Sequence, residues 1–231
     1  MRGLGGGRVR VIRLDAFIPW IRWVDQDSGL LIRVGQSLWM GLPLILTGNL
    51  HMFVVKHDWF SGLRRPLDGG RSLRGRRLIG DHKTWRGVFV MTVFAGLFGA
   101  LAGFAGGAWA AREGVAPIRY EQVLGGSTPL WWAANYAVVN GVLGLAYVLG
   151  ELPNSIVKRR VGVPPGIKVS GVRGGFFAVV DHADSVLAVL LVAVWLFGLP
   201  WRTFAVALPL LVLVHFAFNA GLYAARVKRN L

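Results

Sequence analysis

The sequence predicts an all-α integral membrane protein, with about five transmembrane helices and two basic cytoplasmic loops that form a site at one membrane face. Three observations lead there. The 231 residues are 54% hydrophobic and only 16% charged, whereas a soluble domain carries about a quarter charged residues. The charges are clustered, which leaves long apolar runs between them. The clusters also alternate in basicity along the chain, as loops on opposite faces of a membrane do.

Apolar runs are expected to span at 33–55, 87–111, 130–151, 176–198 and 203–224. Each is close to the ~20 residues that carry a helix across a ~30 Å hydrocarbon core. The helix is dictated because lipid offers no partner to an open backbone N–H or C=O. Gly99, Gly103 and Gly107 lie four apart in the second run, a small-residue stripe suited to close helix contact and permitting a dimer. His215 and Asn219, four apart in the last run, are expected to hydrogen-bond between helices.

Residues 33–231 are read as one transmembrane domain, preceded by an N-terminal segment, 1–32. Within that segment DAFIPWIRWV (15–24) is too short to cross, and its Trp and Arg residues suit the interface. The first residues lack the apolar core of a secretory signal. Cysteine is absent from the sequence, which excludes disulfides and thiolate metal sites.

The loop 56–86 holds nine Lys or Arg against three Asp, and 153–175 holds five and no acid. The tail adds Arg226, Lys228 and Arg229, whereas 112–129 has two Arg and two Glu. The positive-inside rule therefore places 56–86, 153–175 and the C-terminus in the cytoplasm. That leaves the N-terminus outside despite five arginines between Arg2 and Arg22, a signal that Asp25 and Asp27 dilute. The formal charge of +15 suits nucleic acid, anionic lipid or a phosphorylated substrate. Its division among loops beside apolar spans favours a membrane surface and phosphate chemistry, with no nucleic-acid partner.

Three constellations carry possible chemistry, all on the expected cytoplasmic side. The first is PLDGGRSLRGRRLIGDHKTWRG (66–87), where glycines let amides approach an oxyanion and Lys83 and the arginines supply charged donors. It is not a P-loop: Asp81 and His82 intrude before Lys83-Thr84. It is not the D-G-x-x-A-R motif of CDP-alcohol phosphotransferases either, since Asp68-Gly69 is followed by Gly70-Arg71-Ser72-Leu73. The second is ELPNSIVKRRVGVPPG (151–166); if the helix runs through Pro153, Ser155 and Arg159 stand one turn apart. The third is GGFFAVVDHADS (174–185), with Asp181 and Asp184 on one helix face. An unpaired carboxylate near a span's centre costs roughly 2.5–3.5 kcal/mol, so a pair calls for something positive between them. A hard divalent cation shared with substrate phosphates would serve, as would a salt bridge to Lys or Arg. His82 and His182 have no second histidine at ligand spacing and are expected to be solvated or to hydrogen-bond.

A carboxylate pair and converging cations at one face suit phosphoryl or nucleotidyl transfer. The competing class is a non-enzymatic anionic-lipid-binding or transport protein, which explains the basic loops but not the intramembrane carboxylates.

Ordered motifs from about residue 40 to 190 resemble the CDP-archaeol synthase family and, more distantly, CDP-diacylglycerol synthases. They are Asn49, Pro66-Leu67-Asp68-Gly69-Gly70, the block Gly75–Gly87, then Ser155, Lys158, Arg159, Pro165-Gly166, Asp181 and Asp184. Gly150-Glu151 departs from the more usual Gly-Asp. The resemblance implies a Mg²⁺-dependent cytidylyltransferase of the cytoplasmic membrane. Its partners would be CTP and a membrane lipid phosphate, either an archaeal-type ether lipid phosphate or phosphatidic acid. It implies metal ligation by Asp181 and Asp184, with Asp68 or Glu151 as a further acid. Lys83, Arg86, Lys158 and Arg159 would act with them in catalysis, and Asn49, Asp68, Gly80, Asp81, Thr84 and Ser155 would contact substrate.

Overall fold

The structure, a computed structural model, describes residues 29–112, 128–164 and 171–224. Five helices cover most of them: α1 (Leu30–Lys56), α2 (Trp85–Arg112), α3 (Pro129–Arg160), α4 (Gly171–Phe197) and α5 (Trp201–Ala224). All five are long and apolar enough to cross a membrane. The expected interfacial stretch 15–24, the turn Pro165-Gly166 and the basic tail lie outside the described residues.

Every helix reaches past its expected apolar run at one or both ends, and α3 most of all, by nine residues beyond 151. Pro153 does not stop it. The added turns carry Lys158, Arg159 and Arg160, and cations in a last turn favour the negative end of the helix dipole. At its start, Thr128 accepts a hydrogen bond from the Trp131 amide and Pro129 occupies the first turn. Hydrophobicity marks the hydrocarbon crossing; the helix itself ends where capping ends it.

The helices form a ring. Each packs on its neighbours in the chain, and α5 closes the ring against α1. The core between them includes Met40, Tyr136, Leu143, Leu190 and Leu211. Large side chains such as Leu101, Phe104, Trp195 and Leu213 lie outside it, exposed, as lipid-facing residues would be.

The most extensive contact is α2 against α3, and the glycine stripe makes it. A Cβ on Gly99 would lie 2.5 Å from the Tyr136 carbonyl oxygen, and one on Gly103 would lie 2.5 Å from that of Trp132. From the other side, a Cβ on Gly144 would fall 2.0 Å from the Met91 carbonyl oxygen. The stripe therefore brings two helices of one chain together, by close backbone approach.

The 57–84 connection is compact. After a 3-10 turn at Ser61–Leu63, a two-residue hairpin pairs β1 (Ser72–Leu73) with β2 (Arg76–Arg77). Its turn residues, Arg74 and Gly75, both have positive φ (53° and 73°), as the two central residues of a type I′ turn require. The ladder is too short for alternation to reveal it in a sequence.

Candidate active site

Asp68 organises the basic loop. Its Oδ1 accepts from the Gly70 amide at 3.0 Å and from Arg77 Nη2 at 3.1 Å, and its Oδ2 accepts from the Ile79 amide at 3.1 Å. The carboxylate is fully buried. Burial alone would raise its pKa, but the Ile79 and Gly70 amides and the Arg77 guanidinium outweigh burial and hold it below the usual carboxylate range. Arg77 also pairs with Asp81. The Leu67 amide donates to the Lys83 carbonyl at 2.8 Å, and the Trp85 amide to the Arg65 carbonyl at 3.1 Å. The two ends of the loop thus lie side by side, which places Lys83 at the head of α2.

Arginines fasten this loop to the helices. Arg159, buried, donates to the carbonyls of Ile79 (3.0 Å) and Val163. Arg160 donates to those of Leu73 (2.9 Å) and Arg77 (3.2 Å), and Arg76 returns a bond to the Arg160 carbonyl at 2.7 Å. Arg86, also buried, binds Asp58 Oδ1 at 2.6 Å and the Trp59 carbonyl at 3.3 Å. That bond, with Arg64 nearby, holds the Asp58 carboxyl below its ordinary pKa.

Inside the ring, at the end carrying this loop, lies a cavity of about 560 Å³. Asn49, Lys83, Thr84, Glu151 and Asp181 line its polar part. Leu44 and Ile45 of α1, with Leu211, Phe218 and Leu222 of α5, line an apolar part. His82 also lines it; burial and the charges of Lys83 and Arg159 lower its pKa, which leaves the imidazole neutral near pH 7.

Within the site the charges pair off. Lys83 Nζ binds Glu151, and Lys158 Nζ binds Asp181. The Asn154 amide spans the two aspartates, 2.6 Å from Asp181 Oδ1 and 2.8 Å from Asp184 Oδ2. Asp184 Oδ1 also accepts from the Ser185 amide at 2.6 Å. Two carboxylate oxygens thus converge on the Asn154 amide nitrogen; hard oxygens of this kind are the donor type that Mg²⁺ takes, one or two carboxylates being completed by water and phosphate. Among the described residues, no group of three or more His, Asp or Glu side chains is placed to hold a metal ion.

Of the residues singled out from sequence, Asn49, Lys83, Thr84, Glu151 and Asp181 meet at the cavity. Lys158 and Asp184 stand beside them through Asp181 and Asn154. Asp68, Arg86 and Arg159 are themselves buried and bond partners in the loop, and Ser155 donates to the Glu151 carbonyl of its own helix at 2.9 Å. Gly80 has φ 137°, in the glycine-favouring region, one residue before Asp81. His215 does join helices: it contacts the Tyr147 hydroxyl at 3.2 Å and the His182 carbonyl at 3.3 Å. Asn219 donates to the His215 carbonyl one turn back, at 3.0 Å.

Asn154 and the cavity residues His51 and Tyr147 were missed from sequence. Asn154 left one usable signal: it stands four residues before Lys158, on the same helix face. Tyr147 left none, since it is a single polar residue in an apolar run, whereas His51 stands two residues after Asn49 in α1.

Five spans around a cavity that joins Lys83, Glu151 and Asp181 to an apolar recess define a multi-pass membrane protein with a charged site among its helices. The chain belongs to the CDP-archaeol synthase family, whose model matches residues 31–230, and is a CTP-dependent cytidylyltransferase. It is 36% identical over 201 residues to the CDP-archaeol synthase of Halobacterium salinarum strain R1, covering 83% of this chain and 93% of that one. It is 30% identical over 175 residues to that of Methanococcoides burtonii, covering 72% and 89%. Against that of Methanopyrus kandleri it is 29% identical over 209 residues, covering 89% and 97%. No solved structure matches the chain. Family membership sets aside the non-enzymatic reading of the basic loops.

Proposed function

We propose that this chain transfers CMP from CTP to an archaeal-type ether lipid phosphate, with Mg²⁺, at the cytoplasmic face of the cell membrane. The observation that carries this is the cavity: phosphate-binding chemistry and an apolar recess between α1 and α5 share one space. A lipid phosphate can meet a soluble nucleotide there without leaving the membrane. The relatives are CDP-archaeol synthases, which suggests the product class, and the basic loops beside the cavity support the orientation. Residues 33–231 act as the catalytic unit.

In the reaction, a lipid phosphate oxygen attacks the α-phosphorus of CTP. The bond from that phosphorus to the bridging oxygen breaks, and pyrophosphate leaves with its electron pair. Lys83 and Lys158, each now paired with a carboxylate, exchange that partner for phosphate oxygens as substrate enters. Asp181 and Asp184 would hold Mg²⁺, with Glu151 as a further acid beside them. Bound there, the ion would neutralise charge on the phosphates. Thr84 and Asn49 offer polar contacts at the cavity wall. Arg86 and Arg159 serve by holding the loop that presents Lys83; Asp68 does the same from within it.

The test is direct. Purified protein is given CTP, Mg²⁺ and either an isoprenoid ether glycerol phosphate or phosphatidic acid, and pyrophosphate is measured. Release with the ether lipid, abolished by chelator, is expected. Release with phosphatidic acid alone overturns the lipid assignment, and full turnover in chelator overturns the metal.

A further inference from the structure

We propose that Asn154 is a positioning residue for the cation site: its amide holds the Asp181 and Asp184 carboxylates convergent before the ion arrives. The inference rests on the reading that those aspartates hold Mg²⁺.

Asp181 and Asp184 are three residues apart on α4, where two carboxylates repel each other and swing apart. Asn154 comes from another helix. Its Nδ2 carries two hydrogens, and both are used: one on Asp181 Oδ1 at 2.6 Å, the other on Asp184 Oδ2 at 2.8 Å. A serine could donate only one bond, and a lysine here would add a charge competing with the ion.

The backbone makes the reach possible. One turn before Asn154, a Cβ on Gly150 would lie 2.3 Å from the Ala188 Cβ and 3.1 Å from the Asp184 carbonyl oxygen. The axes of α3 and α4 are therefore pressed together at that level, and the short Asn side chain can bridge the gap. Lys158, one turn further along α3, holds the outer carboxylate, Asp181, from a second direction. Among the described residues no lysine bonds Asp184; its other donor is the neighbouring Ser185 amide. The Asn154 amide is thus what ties the inner carboxylate to the outer one.

Hydrogen bonds that orient metal ligands typically govern affinity, and losing one costs about 10- to 100-fold. The experiment measures Mn²⁺ binding to the detergent-solubilised full chain by electron paramagnetic resonance, without nucleotide. It compares wild type, Asn154→Ala, Asn154→Gln and Asp181→Asn. Asn154→Ala is expected to weaken Mn²⁺ binding by about 10- to 100-fold, and Asn154→Gln, which keeps both donors, by less. In turnover, raising Mg²⁺ should restore the kcat of Asn154→Ala, whereas a purely structural role would lower kcat and thermal stability at every Mg²⁺ level. Wild-type Mn²⁺ affinity in Asn154→Ala overturns the proposal. If Asn154→Ala does not fold, Asn154→Gln and Asn154→Ser carry the comparison, and equal affinity in both overturns it. Equal Mn²⁺ binding by wild type and Asp181→Asn instead removes the metal assignment beneath it.

Discussion

The α2–α3 interface and the basic loop beneath it are both glycine-rich, yet they are held by opposite means. In the interface, glycines remove side chains so that backbones touch, and Gly99, Gly103 and Gly144 face carbonyl oxygens at distances no Cβ could share. In the loop, glycines permit turns, and the shape is held by directional bonds to charged groups: Asp68 to two amides, Arg159 and Arg160 to three carbonyls. The first arrangement tolerates no added atom. The second tolerates atoms but not the loss of a partner. Stability should therefore fail by insertion in one region and by deletion in the other, with activity sensitive mainly to the second.

The largest effect is expected at Gly144. Leucine there would drive side-chain atoms into the Met91 carbonyl, a backbone group that cannot step aside. Overpacking usually costs about 1–3 kcal/mol, and more where backbone must move, so little folded Gly144→Leu protein should elute on size exclusion. Gly221→Ala is the control, since nothing lies within 4 Å of the added atom; its Tm should match wild type.

Next is Asp181→Asn. The side chain is half-exposed, so Tm should hold while pyrophosphate release falls on the order of 10²-fold. Normal turnover by a well-folded variant would sink the metal role.

Asp68→Ala comes third. It strips the acceptor from two amides and a guanidinium, and an unsatisfied buried donor costs about 1–3 kcal/mol. A lower Tm and weaker CTP binding should appear together, because the loop positions Lys83. The native pKa of Asp68 is lowered, so its stabilisation is present above the unfolded value of 3.8 and is lost as pH falls through the native value. Asp68→Ala should therefore flatten stability against pH in that acid range, measured by thermal unfolding.

The smallest effect is expected at His82. Its native pKa lies below the unfolded 6.5, so acidification protonates the unfolded chain first and stability falls below pH 6.5. His82→Gln should show a shallower fall of Tm there and little change at pH 8.

How much of this could be read from sequence differs by region. The spans were, because twenty apolar residues have one stable form in lipid. The glycine stripe was readable as close packing, but its partner was not: spacing says that a neighbour approaches and leaves open whether it belongs to the same chain. Lys83, Glu151 and Asp181 were readable as charges that an apolar chain must justify. Asp68 was readable as important, but its bonds to Gly70, Arg77 and Ile79 were not; a carboxylate turned inward onto its own loop looks the same in sequence as one turned outward.

By itself, the sequence determined that helices form, where they cross the membrane and which charges gather at one face. Those follow from solvation, and each residue carries its solvation cost with it. Only the tertiary structure decided which cations face the cavity and which fasten the loop, that α2 and α3 of one chain close the stripe, and that Asn154 stands between two aspartates. Those depend on hydrogen-bond distances between segments far apart in the chain, where a shift of one ångström separates a bond from none.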